Sequence, residues 1–366
     1  TFGRGFYVLD DYSPLREISP ETLEQEAMIF PIRDGLQYIE SNPLGGRGTN
    51  SQGASHYAAP NPPYGVTFTY FVKEKPQSPT DKRREAEKKA KEAGDEIDYP
   101  TYAEFVAEDR YEDPYLLFVI KDSEGMEAQR LKTGAKTGVN RISWNMRYPA
   151  TTPIKLKEGK VGRYSMPNNG PLVLPGSYTT ELYLSHNGSL EQIAEPVSFQ
   201  INALENSSLA RQTNENVAFK KELAELRRQF RGTNGSYKEL KERLKYVKAA
   251  IQNYPGTDLD GMNQVSAIED SMHTIDIAMW GDSHKSKREM ETLPGTGSRI
   301  SSVVYQTWYS TSNPTSTQRE QYALAKEEYA IIKRDVADVR SAVEKLEGQL
   351  NEQGVPYTPQ RRGFKE

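Results

Sequence analysis

The sequence predicts a multidomain α+β chain in which a β-sandwich is followed by an antiparallel helical bundle. Two observations support this: apolar residues recur with a period of two in the middle of the chain, and the period changes to 3.6 from Leu209 onward. A third observation is a short apolar strand near the N-terminus without a neighbouring hairpin partner. We expect that strand to pair within another domain.

The N-terminal strand is four consecutive apolar residues: Phe6, Tyr7, Val8 and Leu9. We assign residues 1–40 to this strand and a connector, which also carries a helix start at Ser19 and a short strand at residues 28–32. Residues 41–65 are rich in Gly, Pro, Ser and Asn, which predicts a surface loop. Since the chain opens at Thr1 without methionine, we expect a fragment or a processed product.

The predicted sandwich spans residues 66–204 and contains five strands with apolar residues at alternate positions. These strands are residues 66–72, 115–120, 138–146, 178–184 and 197–201. Turn signals follow two of them, at residues 122–125 and at Asn187-Gly188. Short strands with regular turns favour an Ig-like or fibronectin-like sandwich.

Residues 76–113 interrupt the strand pattern with a charged insertion, which includes a predicted helix at residues 81–93. Its acidic and basic side chains alternate, with Glu85 four residues before Lys89, as is typical of a solvated helix. The alternative is a basic arm that binds lipid or nucleic acid. The interleaved acidic residues argue against that alternative.

The predicted bundle spans residues 205–352 and has four apolar stripes at helical spacing. The first three stripes contain Phe219, Leu223, Leu226 and Phe230; Tyr237, Leu240, Leu244, Val247 and Ile251; and Val265, Ile268, Met272, Ile275 and Met279. Polar loops are predicted at residues 231–236, 253–261 and 281–298. The last helix is predicted to begin at a capping box of Thr317 and Glu320 and to be ended by Gly354 and Pro356, within a tail of residues 353–366.

Composition excludes several classes of function. The net charge of −4 provides no basic face for nucleic acid, and no apolar run approaches the length that spans a bilayer. The chain has no cysteine, which excludes disulfides, Cys-ligated zinc, iron–sulfur clusters and thiol catalysis.

Few residues have the spacing that catalysis or metal binding requires. No two of the four histidines have a metal-ligand spacing, and residues 258–261 lack most of the acidic positions of a calcium loop. Asp10 and Asp11 are adjacent on the chain, so their carboxylates would point to opposite faces of a strand and could not act together. We therefore predict no catalytic residue, no metal and no cofactor within this chain.

Aromatic residues near loops are the remaining candidates for binding. Tyr57, Tyr64, Trp308 and Tyr309 could stack on sugar rings, or they could serve in core or interdomain packing. The second use is favoured because aromatic side chains more often fill cores.

Three groups of residues resemble one family of proteins. Residues 1–16, TFGRGFYVLDDYSPLR, resemble the strand that closes the β-propeller of bacterial sortilin-like, BNR-repeat proteins, which are often described as glycosyl hydrolases. Residues 61–65, 138–149 and 171–178 resemble the Ig-like domain that follows that propeller. Tyr305-Gln306 and residues 314–322 and 356–359 resemble its helical C-terminus.

This resemblance implies a function that lies largely outside the chain. It implies a non-catalytic, extracytoplasmic scaffold that packs on a β-propeller of the same polypeptide or of a separate chain and can dock other partners. The alternative is part of a glycoside hydrolase whose catalytic carboxylates lie on the propeller, with loop 41–65 shaping the substrate cleft. A third hypothesis is a sandwich that binds carbohydrate on its own.

Overall fold

A computed structural model describes residues 9–40, 61–97, 99–156, 169–204 and 212–361. The chain divides into two compact units, of which the first comprises Thr1–Pro149 and Leu172–Ser208. The second comprises Ala150–Pro171 and Leu209–Glu366, so it includes a segment that the sequence prediction grouped with the strands. The chain is a mixed α+β protein, as predicted.

The first unit contains the β-structure. Its strands are β1 (Ala27–Ile29), β2 (Gly35–Gln37), β3 (Val66–Val72), β4 (Tyr115–Asp122), β5 (Glu127–Gly134), β6 (Gly138–Trp144), β7 (Gly176–His186) and β8 (Ser189–Ala203). They form one sheet of order β1-β3-β6 and another of order β2-β8-β7-β4-β5. All pairings within them are antiparallel except β2 with β8, which is parallel.

Alternation of apolar residues explains why these segments are strands. Phe68, Phe118, Trp144, Tyr178 and Phe199 come from five strands of the two sheets and share one core. Their rings lie 5.5–6.3 Å apart in successive pairs, a range that suits edge and offset contacts. The five predicted strands are thus confirmed, whereas β2 and β5 were missed.

Short helices accompany the strands of this unit. They are α1 (Ser13–Arg16), α2 (Pro20–Glu24), α3 (Pro79–Ala93) and α4 (Tyr102–Asp109). Ser19 accepts a hydrogen bond from the Thr22 amide, which confirms the predicted start of α2. The predicted insertion helix is α3, and α4 after it was not predicted.

The second unit is helical. It contains α5 (Asn214–Asn253), α6 (Gly261–Trp280), α7 (Ser283–Ser286), α8 (Thr296–Trp308) and α9 (Ser316–Glu352). The predicted apolar stripes are confirmed, since their residues are buried in one shared core. The predicted loop at residues 231–236 is wrong, because α5, which is 40 residues long, continues through it.

The directions of the helices differ from the antiparallel arrangement predicted. Arg319 of α9 binds Glu215 near the start of α5, and Glu347 near the end of α9 binds Arg243 near the end of α5, so the two long helices run parallel. Helix α6 is antiparallel to the second half of α5, since Lys241 binds Asp276 and Lys248 binds Glu269. Helix α8 comes after α6 in the chain and is antiparallel to α9, since Thr296 binds Glu328 and Arg299 binds Gln321.

The ends of α9 show one error and one correct prediction. The capping box consists of Thr315 and Gln318, two residues before the predicted pair of Thr317 and Glu320. The predicted stop at Gly354 is confirmed, since helix α9 ends at Glu352 and Gly354 has φ +68°, a left-handed conformation that favours glycine.

Two predicted features lie outside the described residues. The first is most of the predicted N-terminal strand, namely Phe6, Tyr7 and Val8. Leu9, the last residue of that predicted strand, is described; it lies in no described strand and is 54% exposed. Most of loop 41–65, including Tyr57, is also outside. Among the described helices, none combines the length and the apolar character needed to cross a bilayer.

Candidate functional site

The aromatic residues predicted for binding have different environments. Tyr64 donates a hydrogen bond of 2.7 Å to the Tyr38 carbonyl, and the two rings meet edge to face at 4.9 Å. Burial raises the pKa of Tyr64 to about 12. Trp308 is a core residue at 3% exposure, and Tyr309 packs against the same helical core. Packing is therefore the observed use of Trp308 and Tyr309.

The acidic residues considered for catalysis and for calcium binding lie in turns. Asp11 accepts hydrogen bonds from the amide and hydroxyl of Ser13, and the hydroxyl bond lowers the pKa of that carboxyl. Asp258 accepts a hydrogen bond from the Asp260 amide just before α6. Within the described residues, no group of three His, Asp or Glu side chains could hold a metal ion. His273 and His284 are neighbours, with ring centres 5.5 Å apart.

The feature of the first unit that offers a binding surface is a groove between two sheet edges, which we call the seam. It has a volume of about 980 Å³ and is lined by residues 25–29 and 192–197. Strand β1 forms one wall and the middle of β8 forms the other. No ladder of hydrogen bonds joins these two strands in the part of the chain that the structure describes.

The free edge of β1 follows from its pairing with β3. Phe30 donates its amide hydrogen to the Thr69 carbonyl at 3.0 Å, and Lys73 donates to the Glu26 carbonyl at 2.9 Å. In an antiparallel pair, alternate residues point their backbone groups to the same side. The backbone groups of Ala27 and Ile29 therefore point away from β3, into the seam.

The facing edge of β8 is open over most of its length. Strand β2 covers β8 only from Ile201 to Ala203. The Gln200 amide donates to the Asp34 carboxylate at 3.3 Å, so the backbone amide of Gln200 points away from β7. Pro196 lies in the same stretch, where the register to β7 shifts between Thr180 and Leu182. A proline and a bulge are the devices that edge strands use against uncontrolled pairing.

The chemistry of the seam suits a polypeptide in extended form. Its floor includes the partly buried side chains of Met28, Ile193 and Val197. Its exposed rim carries the carboxylates of Glu26 and Glu195, and its lining includes no basic residue. Backbone groups at an edge can bind a further strand, and the two carboxylates favour a strand with basic side chains.

A second groove, of about 560 Å³, lies in the helical unit between α6, α8 and α9. Arg299 on its wall forms an ion pair of 3.2 Å with Glu328, which also accepts a hydrogen bond of 2.8 Å from Thr296. The charges of Arg299 and Glu328 offset one another, although the Arg299 Nε–H makes no hydrogen bond to the described part of the chain. The groove therefore offers no free charge from this cluster to a ligand.

Sequence reasoning missed the seam, although one signal for it was present. Pro196 lies inside a run that has strand character from residue 189 onward, and proline within a strand indicates an edge. The other wall, β1, overlaps the short strand predicted at residues 28–32, but which of its edges stays unpaired depends on strands far away in the sequence. No protein-family model and no curated protein matches this chain.

Proposed function

We propose that this chain is a non-catalytic scaffold that docks onto another folded polypeptide through the seam. The observation that supports this proposal is the pair of open edges on β1 and β8, which face one groove and present unpaired backbone groups to it. Each additional backbone hydrogen bond contributes about 0.5–1.5 kcal/mol. An added strand of four or five residues can bond to one of these edges and gain affinity without any catalytic group.

The partner that best fits the resemblance is a β-propeller, of the same polypeptide or of a separate chain. Propellers leave only short strand edges at the outside of their blades, and a strand exposed there can add to the edge of another sheet. In this proposal the protein acts in an extracytoplasmic compartment, and the helical unit braces the assembly. Residues 1–16 would contribute to the propeller rather than to the seam.

For the finer architecture, we propose an Ig-like sandwich for the first unit and a helical bundle for the second. Support for the sandwich comes from the core that Phe68 of one sheet shares with Phe118 and Phe199 of the other. Support for the bundle comes from the continuous core that the long helices share.

A photo-crosslinking experiment in the native source tests the docking proposal. A photoreactive amino acid at Met28, inside the seam, should yield a crosslink to a propeller strand, identified by mass spectrometry. The same amino acid at Leu190, an exposed position of β8 outside the seam lining, provides the background. A yield at Leu190 equal to that at Met28, or crosslinks at Met28 that include no propeller, would refute the proposal.

Charge reversal sharpens the same experiment. Glu26→Lys with Glu195→Lys changes two exposed rim residues and should reduce the Met28 crosslink, because the occupant is expected to be basic. Glu191→Lys is the matched control, since it is exposed on the same strand outside the seam lining. It should leave the yield unchanged.

A further inference from the structure

The charged insertion contains two helices that have no core of their own. Neither α3 nor α4 has a buried residue. They are joined by polar contacts: Arg83 of α3 forms two hydrogen bonds, of 2.6 and 3.0 Å, with the Glu108 carboxylate of α4, which also accepts one from Thr80. We call residues 79–109 the arm. Isolated helices of 15 residues are only marginally stable in water, so the arm lacks a source of stability within itself.

The arm also exposes large apolar side chains. Tyr99 is 94% exposed and Tyr102 is 85% exposed, while Ile97 and Phe105 are nearly half exposed. All four lie within nine consecutive residues. Single apolar residues scattered on a surface are ordinary, but four large exposed ones within nine residues indicate an interaction surface, and we call Tyr99, Tyr102 and Phe105 the aromatic patch.

The arm divides its charge between its two parts. Helix α3 carries six basic and four acidic residues, whereas residues 94–113 carry eight acidic residues and one basic residue, Arg110. Whatever covers the aromatic patch must therefore be basic. A surface that provides this charge is present on the arm itself, on α3.

The side chains of α3 and α4 also match in size. Four exposed residues form one stripe along α3, because they follow one another at spacings of four, three and four: Lys82, Ala86, Lys89 and Ala93. On α4, the exposed residues Tyr102, Phe105 and Asp109 form another stripe at spacings of three and four. Alanines leave room for aromatic rings, lysines attract a carboxylate, and a lysine over an aromatic face adds a cation–π attraction.

We propose that the arm is a self-association surface, in which α3 of one copy packs against α4 of a second copy and the reverse contact forms on the other side. A two-fold arrangement provides both contacts at once, because residue i then contacts residue j of the partner and j contacts i. Charge decides the pairing, since α4 against α4 would bring two strongly acidic segments together. The four helices then cover the aromatic side chains and give the arm the core that a single copy lacks.

Sedimentation of the full chain over a range of concentrations tests this proposal. The wild type is expected to form dimers, and added salt should weaken them because part of the attraction lies between exposed charges. Tyr102→Ser with Phe105→Ser should lower the association constant by about 30-fold or more, which is about 2 kcal/mol in total, because buried aromatic anchors dominate the binding energy of interfaces. Leu259→Ser is the matched control, because Leu259 is 70% exposed in the helical unit and should not affect association.

A pair of charge-reversed variants tests the geometry. Lys82→Glu with Lys89→Glu changes the net charge of α3 from +2 to −2. A second variant changes five exposed acidic residues to lysine, which turns the net charge of residues 94–113 from −7 to +3: Asp95, Glu96, Asp109, Glu112 and Asp113. Each variant alone should be monomeric, because its two arm surfaces then carry the same charge. A mixture of the two should dimerise again, because each acidic surface then meets a basic one. Circular dichroism verifies that both remain folded.

Several outcomes would overturn the proposal. They are a wild type that stays monomeric at the highest concentration reached, a Tyr102/Phe105 variant that dimerises as the wild type does, and a mixture that fails to restore the dimer. A monomeric wild type whose aromatic patch binds a basic synthetic peptide would show that the surface serves a different partner.

Discussion

Arg243 of α5 and Glu347 of α9 form a buried ion pair between the two parallel helices. The guanidinium donates two hydrogen bonds to the carboxylate, of 2.9 and 2.6 Å, and the side chains are 5% and 2% exposed. Hydrogen bonding to Glu347 raises the pKa of Arg243. Since a two-pronged bond fits in one register only, this pair fixes how far α9 is shifted along α5.

Removing one partner of this pair should destabilise the helical unit strongly. Glu347→Ala leaves a buried guanidinium with only the more distant Glu344, at 3.8 Å, and we expect a loss of about 3–5 kcal/mol in chemical denaturation. Arg243→Met combined with Glu347→Leu should cost far less, because no buried charge remains unpaired. Arg228→Ala breaks an exposed pair on α5 and is the control, with no measurable change expected. Equal losses in the single and double variants would contradict this account.

The glycines at the middle of α5 provide a test of its continuity. Gly232 and Gly235 are helical, and a Cβ added to either would meet no atom within 4 Å. Gly232→Ala and Gly235→Ala should each stabilise the unit by about 0.8–1.0 kcal/mol, because alanine has the higher helix propensity. Gly354→Ala is the control and should destabilise, since its φ of +68° is unfavourable for alanine. Neutral or negative effects at both α5 positions would favour a loop there.

The same segment shows what local sequence can predict. Residues 231–236, RGTNGS, contain two glycines and an asparagine, and these residues favour a turn when judged alone. Tertiary packing overrides that preference: Asn234 and Tyr237 are buried, and the Thr233 hydroxyl is hydrogen-bonded to that of Tyr329 on α9. Those partners lie about a hundred residues away in the chain, beyond the reach of a local pattern.

Strands whose apolar residues alternate strongly were predicted, and strands whose alternation is weak were missed. Strand β3 alternates strongly and was predicted at its observed bounds, since Val66, Phe68, Tyr70 and Val72 all enter the core. Strand β5 has only Ala128 buried, because it is an edge strand with one face in water. The seam depends on which strands remain unpaired, and strand pairing is not encoded in any single segment.

Gly297, the second residue of α8, allows the close approach of α6 and α8. A Cβ at this position would lie 2.6 Å from Trp280 and 2.9 Å from Phe230, both of which have bulky rings. Gly297→Ala should therefore destabilise the unit by about 1–3 kcal/mol, as overpacking does. Gly348→Ala in α9 is the matched control, because nothing lies within 4 Å of its added Cβ and the substitution should stabilise. Thermal unfolding followed by circular dichroism distinguishes the two, and a stabilising Gly297→Ala would show that the junction is looser than described.

Tyr237 should make the helical unit sensitive to high pH. Its hydroxyl is buried and donates a hydrogen bond of 2.6 Å to the Met272 carbonyl, and burial, with the charge of Asp276 nearby, raises its pKa well above the usual value. The unfolded chain loses this proton near pH 10 while the folded chain keeps it. The stabilising contribution is therefore complete below about pH 10 and declines above it, by about 1.4 kcal/mol per pH unit.

Tyr237→Phe separates this effect from the general response of the protein to alkali. At neutral pH the variant should be less stable by about 1–3 kcal/mol, because the Met272 carbonyl loses its buried donor. Above about pH 10 the difference should shrink as the wild type loses the contribution of its retained proton. Urea unfolding at several alkaline pH values measures both curves, and Tyr305→Phe, an exposed position of α8, controls for the loss of one tyrosine. Curves that stay parallel through the alkaline range would show that the Tyr237 hydroxyl releases its proton equally in both states.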